Sequence, residues 1–445
     1  MRHIFPLDLS RWERDVSFNI PLNYQPLSAS TLPDYLAAVS VLRERLGGGP
    51  KDWTLREVSD GYLNLVYLVN GPEGSLCTKQ SLPHVREDKD WPLPLDRTAS
   101  EHLYWRTIGP HAPGLIPEVH HYDPELSLLA MEQLHPHEVL RGRIVAGEIY
   151  PGMSRRVAEF VARSTFFTSD FHQKQEFKHE RIAELKANHV LHRIMLELVY
   201  QDPFMPSERN HWTTPHLDAF VEDFRTNGRI RAAAGRLGHK YLTTPQALIH
   251  NDLHAGAVML TDDDLRIIDP EFATFGPIGV DLGIFIGHLL IGYFAQDGHA
   301  TESDNRDRQQ RWLLDEIASF WFAFRERFLQ LWRDHAAGDA YLAKGFDDPV
   351  GRAVAESERA RFVDMLFADA IGFAAAAMIR SIIGYSHFAE METIADPDRK
   401  GAAEAGALSL ARTFLLEPEQ FATIADVIDE APRRRRAPGC RFTAN

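Results

Sequence analysis

Residues 248–272 read LIHNDLHAGAVMLTDDDLRIIDPEF, and this stretch decides the kind of fold that the 445-residue chain adopts. Its first apolar run predicts a strand that leads into a loop at Asp252. After a tight hairpin around 262–264, a second apolar run leads to Asp269 and Glu271. The spacing allows the hairpin to return, so we expect three carboxylates to meet at one end of a sheet.

Carboxylates arranged in this way indicate a cation site. They repel one another and resist removal from water, so a bound cation usually balances them. Oxygen ligands favour Mg²⁺, which takes one or two carboxylates together with substrate phosphates. This arrangement suits phosphoryl transfer, in which an aspartate accepts the proton of the attacking hydroxyl. We therefore expect Asp252 to be the catalytic base, and Asp269 and Glu271 to bind the metal.

A simpler interpretation applies to each residue alone. A single aspartate at a strand end is usually an ordinary turn residue, and it is the combined pattern that favours a catalytic site. We expect His250 to support the loop through hydrogen bonds and His254 to act indirectly rather than as a ligand. Other histidines, at 120, 121, 135 and 137, lack the spacing of a zinc site.

The N-terminal part of the chain predicts a nucleotide site. The segment 53–80 predicts a β-hairpin, with Lys79 on its second strand, where the lysine can hold phosphates. Glu101 lies on a predicted helix that Asp96 opens, and we expect it to pair with Lys79. A lone lysine on a strand is often only a solvated surface residue. The loop 59–64 lacks the GxGxxG pattern and is weak support for a phosphate loop.

A connector follows the predicted strands at 118–122 and 127–131. Backbone groups of Glu132, Gln133 and Leu134 are expected to pair with adenine, although an ordinary linker would have the same sequence character. A helix is predicted over 32–46. Beyond the connector the apolar residues recur at helical spacing. This pattern predicts helices over 151–171, 180–200, 215–237, 307–333, 353–388 and 402–416.

A β-rich part followed by a long helical part predicts an α+β fold with two lobes. We expect a leader with a helix at 1–50, a nucleotide-binding lobe at 51–134 and a helical lobe at 135–430 with the catalytic loop and substrate pocket. The arginine-rich stretch 431–445 is expected to be a solvated, disordered tail.

Composition excludes several functional classes. The net charge of −15 argues against non-specific binding to nucleic acid or to an anionic membrane. Two cysteines, Cys77 and Cys440, argue against a disulfide framework. The N-terminus has no signal-like apolar core, and the apolar stretch 282–295 is shorter than a membrane span. A cytoplasmic protein is the expectation.

Several motifs together resemble the methylthioribose kinase family, in the aminoglycoside-phosphotransferase and choline-kinase branch of the protein-kinase-like superfamily. They are the catalytic stretch above and the segments 60–66, 79–86, 91–97, 166–170, 275–283, 293–298 and 378–387. The resemblance covers roughly 30–425 and is specific to that family. It implies ATP-dependent, Mg²⁺-dependent phosphorylation of the anomeric hydroxyl of 5-methylthioribose, a step of methionine salvage, by a homodimer.

The resemblance also implies roles for individual residues. Asp252 is the base, Arg380 contacts the sugar, and Asp269 and Glu271 hold Mg²⁺ and ATP. The other residues that it assigns to ATP are Gly61, Asn64, Lys79, Glu101, Glu132, Gln133, Leu134 and Pro270.

This chain departs from the family pattern at four positions. The family has glycine where Asn251 stands and serine at the position of Ala257. It has asparagine at the position of Tyr62 and a second arginine at that of Ser381. These departures leave two alternatives open: a kinase of another 5-modified pentose or small alcohol, and a nucleotide-binding protein without catalytic activity.

Overall fold

The computed structural model describes residues 20–58, 63–86 and 88–436. The described residues form two compact units. Unit 1 contains the residues up to 102 together with 118–133, and unit 2 contains 103–117 and the residues from 134 onward. The helix α3 (Arg97–Ile108) contributes to both units.

Unit 1 is built on a five-stranded antiparallel sheet in the order β1-β2-β3-β5-β4. Its strands are β1 (Thr54–Val58), β2 (Asn64–Asn70), β3 (Ser75–Ser81), β4 (Val119–Asp123) and β5 (Leu128–Met131). Two short helices, α1 (Leu32–Ala38) and α2 (Ser40–Leu46), precede the sheet. The predicted strands are therefore present within one or two residues of their expected ends.

The predicted leader shares the core of unit 1. Leucines of α1 and α2 lie buried with residues of β2 and β3, the members being Leu32, Leu36, Leu42, Leu46, Tyr67, Val69 and Leu76. The single helix predicted over 32–46 is wrong, because Val39 adopts an extended conformation with ψ of 106° and divides α1 from α2.

Unit 2 is mainly helical. Its helices are α4 (Leu140–Ala146), α5 (Met153–Thr168), α6 (Gln175–Glu184), α7 (His189–Tyr200), α8 (Asp218–Thr226), α9 (Gly228–Thr243), α10 (Gly279–His299), α11 (Asp307–His335), α12 (Pro349–Ile383), α13 (Ala389–Glu392), α14 (Pro397–Leu416) and α15 (Ile424–Arg436). One small sheet has the order β6-β8-β9, with strands Glu138–Val139, Val258–Leu260 and Leu265–Ile267. Another pairs β7 (Ala247–Ile249) with β10 (Thr274–Gly276).

Two long predicted helices are divided in the structure, and a third ends before its predicted end. The prediction over 180–200 becomes α6, a 3₁₀ turn at Leu185–Asn188, and α7. The prediction over 215–237 becomes α8 and α9, because the side chain of Asn227 accepts hydrogen bonds from the N–H groups of Arg229 and Ile230 and caps α9. The prediction over 353–388 ends early, since α12 stops before Gly384.

The tail prediction is wrong over 431–436, which belong to α15. Arg434 pairs with Glu430 at 2.6 Å, and Arg435 pairs with Asp297 at 2.8 Å. These carboxylates balance the arginine charges, and one of them lies far away in the sequence. The remaining tail residues lie outside the described part of the chain.

Helix α10 lies directly against α12 because its contact face is made of glycine. A Cβ atom on Gly283 would lie 2.6 Å from the carbonyl oxygen of Ala370, and one on Gly287 would lie 2.9 Å from that of Ala374. The backbones therefore approach more closely than side chains permit, and α10 is fixed against α12. This contact fixes α10, which carries groups that hold the loop of Asp252.

We expect Gly283→Ala to lower the free energy of unfolding by about 1–3 kcal/mol, because the added methyl group overpacks a backbone contact. Denaturant unfolding measures the change. Gly235→Ala on α9 is the matched control, since no neighbouring atom lies within 4 Å of the added Cβ. The control should be stabilising by about 0.5–1 kcal/mol through helix propensity. Equal effects of the two substitutions would contradict this account of the contact.

Helices α10 and α12 are both long and apolar enough to cross a membrane by length and composition. The expectation that the stretch 282–295 is too short to do so is wrong on length, because α10 has 21 residues. All of the apolar window of α10 and 67% of that of α12 are buried inside the protein. Burial in the core of unit 2 accounts for their apolar character.

Candidate active site

The loop of unit 2 that is predicted to be catalytic begins where β7 ends. Residues 250–257 lead from β7 towards β8, and Asp252 lies in this loop. The strand β9 leads to Asp269, but β7 pairs with β10 and β9 pairs with β8, so the two loops do not extend from one sheet as expected. His250 joins them instead, since its Nε2 donates to the carbonyl oxygen of Ile268 at 2.8 Å.

Two residues of these loops adopt the left-handed backbone conformation. Asn251 has φ of 68° and Asp269 has φ of 61°. Asparagine and aspartate tolerate this region better than other non-glycine residues, which explains why Asn251 can stand where the family has glycine. The Asn251 amide also donates to the hydroxyl of Tyr241 and to the carbonyl oxygen of Phe272, both at 2.9 Å.

Asp281 on α10 clamps the start of the loop. Its carboxylate accepts hydrogen bonds from the backbone N–H groups of His250 and Asn251, each at 2.8 Å. The side chain is fully buried. Burial raises the pKa of Asp281 to about 7, although the two N–H groups act in the opposite direction.

The raised pKa of Asp281 predicts a pH-dependent stability. Because the carboxyl binds a proton more tightly in the folded protein, its contribution is complete below the ordinary pKa of 3.8 and is lost as the pH rises through about 7. Relative to Asp281→Asn, the free energy of unfolding of the unaltered protein should fall by about 1.4 kcal/mol per pH unit within this window. Denaturant unfolding of both proteins across the window measures the difference, and a constant difference would refute the assignment.

The carboxylate of Asp252 lies between the side chains of His254 and Arg380. The Nε2 atom of His254 is 3.5 Å from one carboxylate oxygen, and Nη2 of Arg380 is 3.8 Å from the other. Burial alone would raise the pKa of Asp252, but His254 and Arg380 outweigh it and hold the pKa below its usual range. Asp252 is therefore a carboxylate at neutral pH.

Three histidines support the loop as hydrogen-bond acceptors. The Nδ1 atoms of His250, His254 and His288 accept the backbone N–H groups of Asp252, Gly256 and Ala255, at 3.3, 2.8 and 3.3 Å respectively. A ring nitrogen that accepts carries no proton, so each neutral ring is protonated at Nε2. Burial lowers the pKa of His250 to about 4 and also lowers that of His288, which keeps both rings neutral. The expectation that His250 supports the loop is confirmed.

Arg380 lies in the last turn of α12, close to Asp252. Its Nη1 donates to the carbonyl oxygen of Ser386 at 3.0 Å, and its guanidinium carbon lies 5.2 Å from the centre of the Phe388 ring. These contacts fix the guanidinium beside the catalytic loop. The neighbouring Ser381, where the family has arginine, is buried and donates to the carbonyl oxygen of Met378 at 2.9 Å. The departure at Ser381 therefore leaves a small polar residue inside the helix packing.

Asp269 and Glu271 supply the carboxylates expected to bind the metal. Asp269 is exposed and Glu271 is buried. The amide of Asn188 donates to the carbonyl oxygen of Glu271 at 2.9 Å and to that of Ala273 at 3.1 Å, and so fixes this loop from α7's side. The carbonyl oxygen of Pro270 accepts from the N–H of Ala273 at 3.0 Å.

Within the described part of the chain, no group of three or more His, Cys, Asp or Glu side chains is arranged to hold a metal ion. The prediction that one sheet carries all three carboxylates is wrong, because β7 and β9 belong to different sheets. The convergence of Asp252, Asp269 and Glu271 stays a prediction. Two carboxylates still fit Mg²⁺, which completes its shell with water and phosphate oxygens. The donor set is compatible with this ion.

Unit 1 contains the predicted lysine and glutamate in direct contact. Nζ of Lys79 on β3 lies 2.8 Å from Oε2 of Glu101 on α3, and both side chains are almost fully buried. A buried lysine paired in this way is held in one geometry rather than moving with the solvent. The predicted contact between Lys79 and Glu101 is therefore present, and its role towards ATP stays a prediction.

For the other residues predicted to bind ATP, the structure gives less support. Gly61 and Tyr62 lie outside the described residues. The Oδ1 atom of Asn64 accepts from Nη2 of Arg97 at 3.1 Å, so Asn64 contributes to the interior of unit 1. The backbone N–H of Glu132 donates to the carbonyl oxygen of Glu118 at 2.8 Å and is not left for adenine. The assignments of Gln133 and Leu134 stay predictions.

Sequence reasoning missed the residues that hold the loops in place. These supporting residues are Asn188, Asp281, His288 and Glu390. Asp281 and His288 lie next to and within the apolar run 282–295, and buried polar groups need partners. Their position beside or within that run was the available signal, but the partners are distant in the sequence.

Known proteins that are similar to this chain are phosphotransferases and methylthioribose kinases. The model of the phosphotransferase enzyme family matches residues 54–341. A methylthioribose kinase of Escherichia coli O45:K1 is 36% identical over 93% of this chain and 99% of its own length. Methylthioribose kinase 1 of Oryza sativa subsp. japonica is 34% identical over 91% and 94%, and the methylthioribose kinase of Geobacillus thermodenitrificans is 34% identical over 88% and 93%.

These matches confirm the α+β, protein-kinase-like fold and the expectation of a kinase. The similarity extends over nearly the full length of the relatives, so it includes the supporting helices as well as the catalytic loop. The chain therefore belongs to the methylthioribose kinase family, within the phosphotransferase enzyme family.

Proposed function

We propose that the protein transfers the γ-phosphoryl group of ATP to the anomeric hydroxyl of 5-methylthioribose, giving the 1-phosphate for methionine salvage. The observation that carries the proposal is an ionised Asp252 at 3.8 Å from Arg380, on a loop clamped by Asp281. The names of the relatives support the choice of sugar.

The reaction needs one acceptor for a proton. The hydroxyl oxygen of the sugar bonds to the γ-phosphorus, the bond from that phosphorus to the bridging oxygen breaks, and ADP leaves. The hydroxyl proton passes to a carboxylate oxygen of Asp252. Because the pKa of Asp252 is low, the carboxylate orients the hydroxyl first and takes the proton late, which suits a loose transition state.

The remaining groups bind and orient. Arg380 contacts the sugar beside Asp252, and Lys79, held by Glu101, binds the phosphates of ATP. Asp269 and Glu271 hold Mg²⁺, which when bound neutralises the negative charge of the phosphates. The homodimer implied by the family resemblance and the cytoplasmic location are part of the proposal, and sedimentation analysis of the purified protein tests the first.

ADP release by the purified protein with Mg-ATP tests the function. The compounds compared are 5-methylthioribose, 5-deoxyribose, ribose, choline and an aminoglycoside. A high kcat/KM for methylthioribose alone supports the proposal. Preference for another sugar would assign the protein to that pentose, and ATP binding without turnover of any compound would favour the non-catalytic alternative.

Removing Arg380 should weaken sugar binding specifically. We expect Arg380→Ala to raise the KM for the sugar by about 10-fold or more, while the KM for ATP changes by less than about twofold. Initial rates with each substrate varied in turn measure both constants. Arg333→Ala is the control, because Arg333 forms an exposed ion pair with Glu356. A larger effect on ATP than on the sugar would overturn the role of Arg380.

A further inference from the structure

Helix α10 contains a buried histidine, His288, whose hydrogen bond to a buried carboxylate the proposed reaction does not use. Nε2 of His288 lies 2.6 Å from Oε1 of Glu390 on α13, and both side chains have no exposed surface. Burying a carboxylate away from solvent costs free energy unless its partners compensate. The other contacts of the pair supply a functional reason for it.

The other face of this pair contacts the catalytic loop. Nδ1 of His288 accepts the backbone N–H of Ala255 at 3.3 Å, three residues after Asp252. Because Nδ1 accepts, the ring proton lies on Nε2 and is donated to Glu390. Glu390 thus fixes the tautomer in which His288 can hold the loop. The His288 ring also stacks on that of His254, with centroids 5.5 Å apart.

The segment 386–390 connects the same histidine to Arg380. The Phe388 ring stacks on His288 with centroids 4.0 Å apart and an interplanar angle of 28°. The guanidinium of Arg380 lies over the Phe388 ring and donates to Ser386. One short segment therefore contacts both the residue that holds the catalytic loop and the residue assigned to the sugar.

We propose that His288 is a positioning residue, which holds the loop at Ala255 so that Asp252 stays aligned with Arg380, and that Glu390 fixes the tautomer of His288. The inference rests on the proposed function, in which Asp252 accepts the proton and Arg380 contacts the sugar. The acceptor atom Nδ1 is the part of His288 that matters for alignment, while the bond to Glu390 mainly stabilises the fold and the tautomer.

Two substitutions of His288 separate these contributions. In His288→Asn the amide oxygen takes the place of Nδ1 and accepts from Ala255, but the bond to Glu390 is lost. In His288→Gln the amide nitrogen takes the place of Nε2 and donates to Glu390, but the N–H of Ala255 loses its acceptor. We expect kcat to fall by about 10-fold or more in His288→Gln and by less than about threefold in His288→Asn.

Stability should change in the opposite order. His288→Asn leaves the Glu390 carboxylate buried without its donor, so its melting temperature should be the lower of the two. The double variant His288→Asn with Glu390→Gln removes that charge and should recover melting temperature while keeping kcat. A merely structural histidine would instead give activities that follow the melting temperatures, and that result overturns the proposal.

His299 provides a control on the same helix. Its Nε2 donates to the backbone carbonyl oxygen of Glu390 at 2.8 Å, and no contact joins it to the loop residues 250–257 in the described structure. His299→Gln should change kcat by less than about twofold. A loss of kcat equal to that of His288→Gln would show that disturbance around Glu390, rather than the Ala255 contact, is responsible.

Hydrogen exchange at single residues tests the contact without any assay of activity. The N–H of Ala255 should exchange faster in His288→Gln than in His288→Asn, while the amides of α10 stay protected in both. Equal exchange at Ala255 would overturn the inference. Absence of sugar turnover in the unaltered protein, with exchange as expected, would instead count against the proposed function and leave the loop contact established.

Discussion

Asp252→Asn is expected to lower kcat by about 10²–10⁴-fold while ATP binding is retained, because the amide cannot accept the hydroxyl proton. Asparagine has nearly the same shape as aspartate, so the loop should keep its conformation. The contacts to His254 and Arg380 lose their charge but not their geometry. Single-turnover phosphorylation measures the chemical step, and equilibrium titration with ATP measures binding.

Asp263→Asn is the matched control for this experiment. Asp263 is exposed in the turn between β8 and β9, a few residues beyond the catalytic loop. The control should retain full kcat. If Asp252→Asn also retained it, Asp252 would not be the base, and if both turnover and ATP binding were lost, the substitution would have disturbed the fold.

The positions of the candidate site residues could be predicted from the sequence, because their types and the apolar runs before them indicate strand ends. Aspartates after short apolar runs predict loops at strand ends, and Asp252 and Asp269 both lie in such loops. The contact between Lys79 and Glu101 follows from a strand and a helix that are neighbours in the chain. Local pattern and chemistry were sufficient in these cases.

The pairing of strands that are distant in the sequence could not be predicted in this way. The strand β7 has three residues and pairs with β10, which lies beyond the hairpin of β8 and β9. So short a run of apolar residues does not specify its partner. The sheet predicted to carry all three carboxylates is therefore two sheets, and the loops meet through His250 and Ile268 instead.

The residues that support the site could not be predicted, because their partners are distant in the sequence. His288 and Glu390 are 102 residues apart, and neither belongs to a motif with a fixed spacing. Some helix ends were not predicted because a capping residue sets them. The side chain of Asn227 accepts hydrogen bonds from the first turn of α9 and so divides a continuous helical pattern. Apolar periodicity records which face of a helix is buried but not where a polar side chain interrupts it.

Asp269→Asn is expected to lower kcat by about 10²-fold or more and to move the Mg²⁺ dependence to higher concentrations, because one carboxylate charge is lost from the metal site. Asparagine is the suitable replacement, since it tolerates the φ of 61° at this position and leaves the backbone unchanged. Initial rates at fixed ATP and increasing Mg²⁺ measure the shift.

The control for Asp269 is Asp262→Asn, which removes an exposed carboxylate from the same hairpin. Its rate and Mg²⁺ dependence should match those of the unaltered protein. The solvent and its ions screen the interaction between an exposed charge in the hairpin turn and the metal. An equal shift in both variants would indicate a general loss of negative charge rather than a ligand. No shift in Asp269→Asn would leave Glu271 as the carboxylate that binds the metal, and Glu271→Gln would then show the larger displacement.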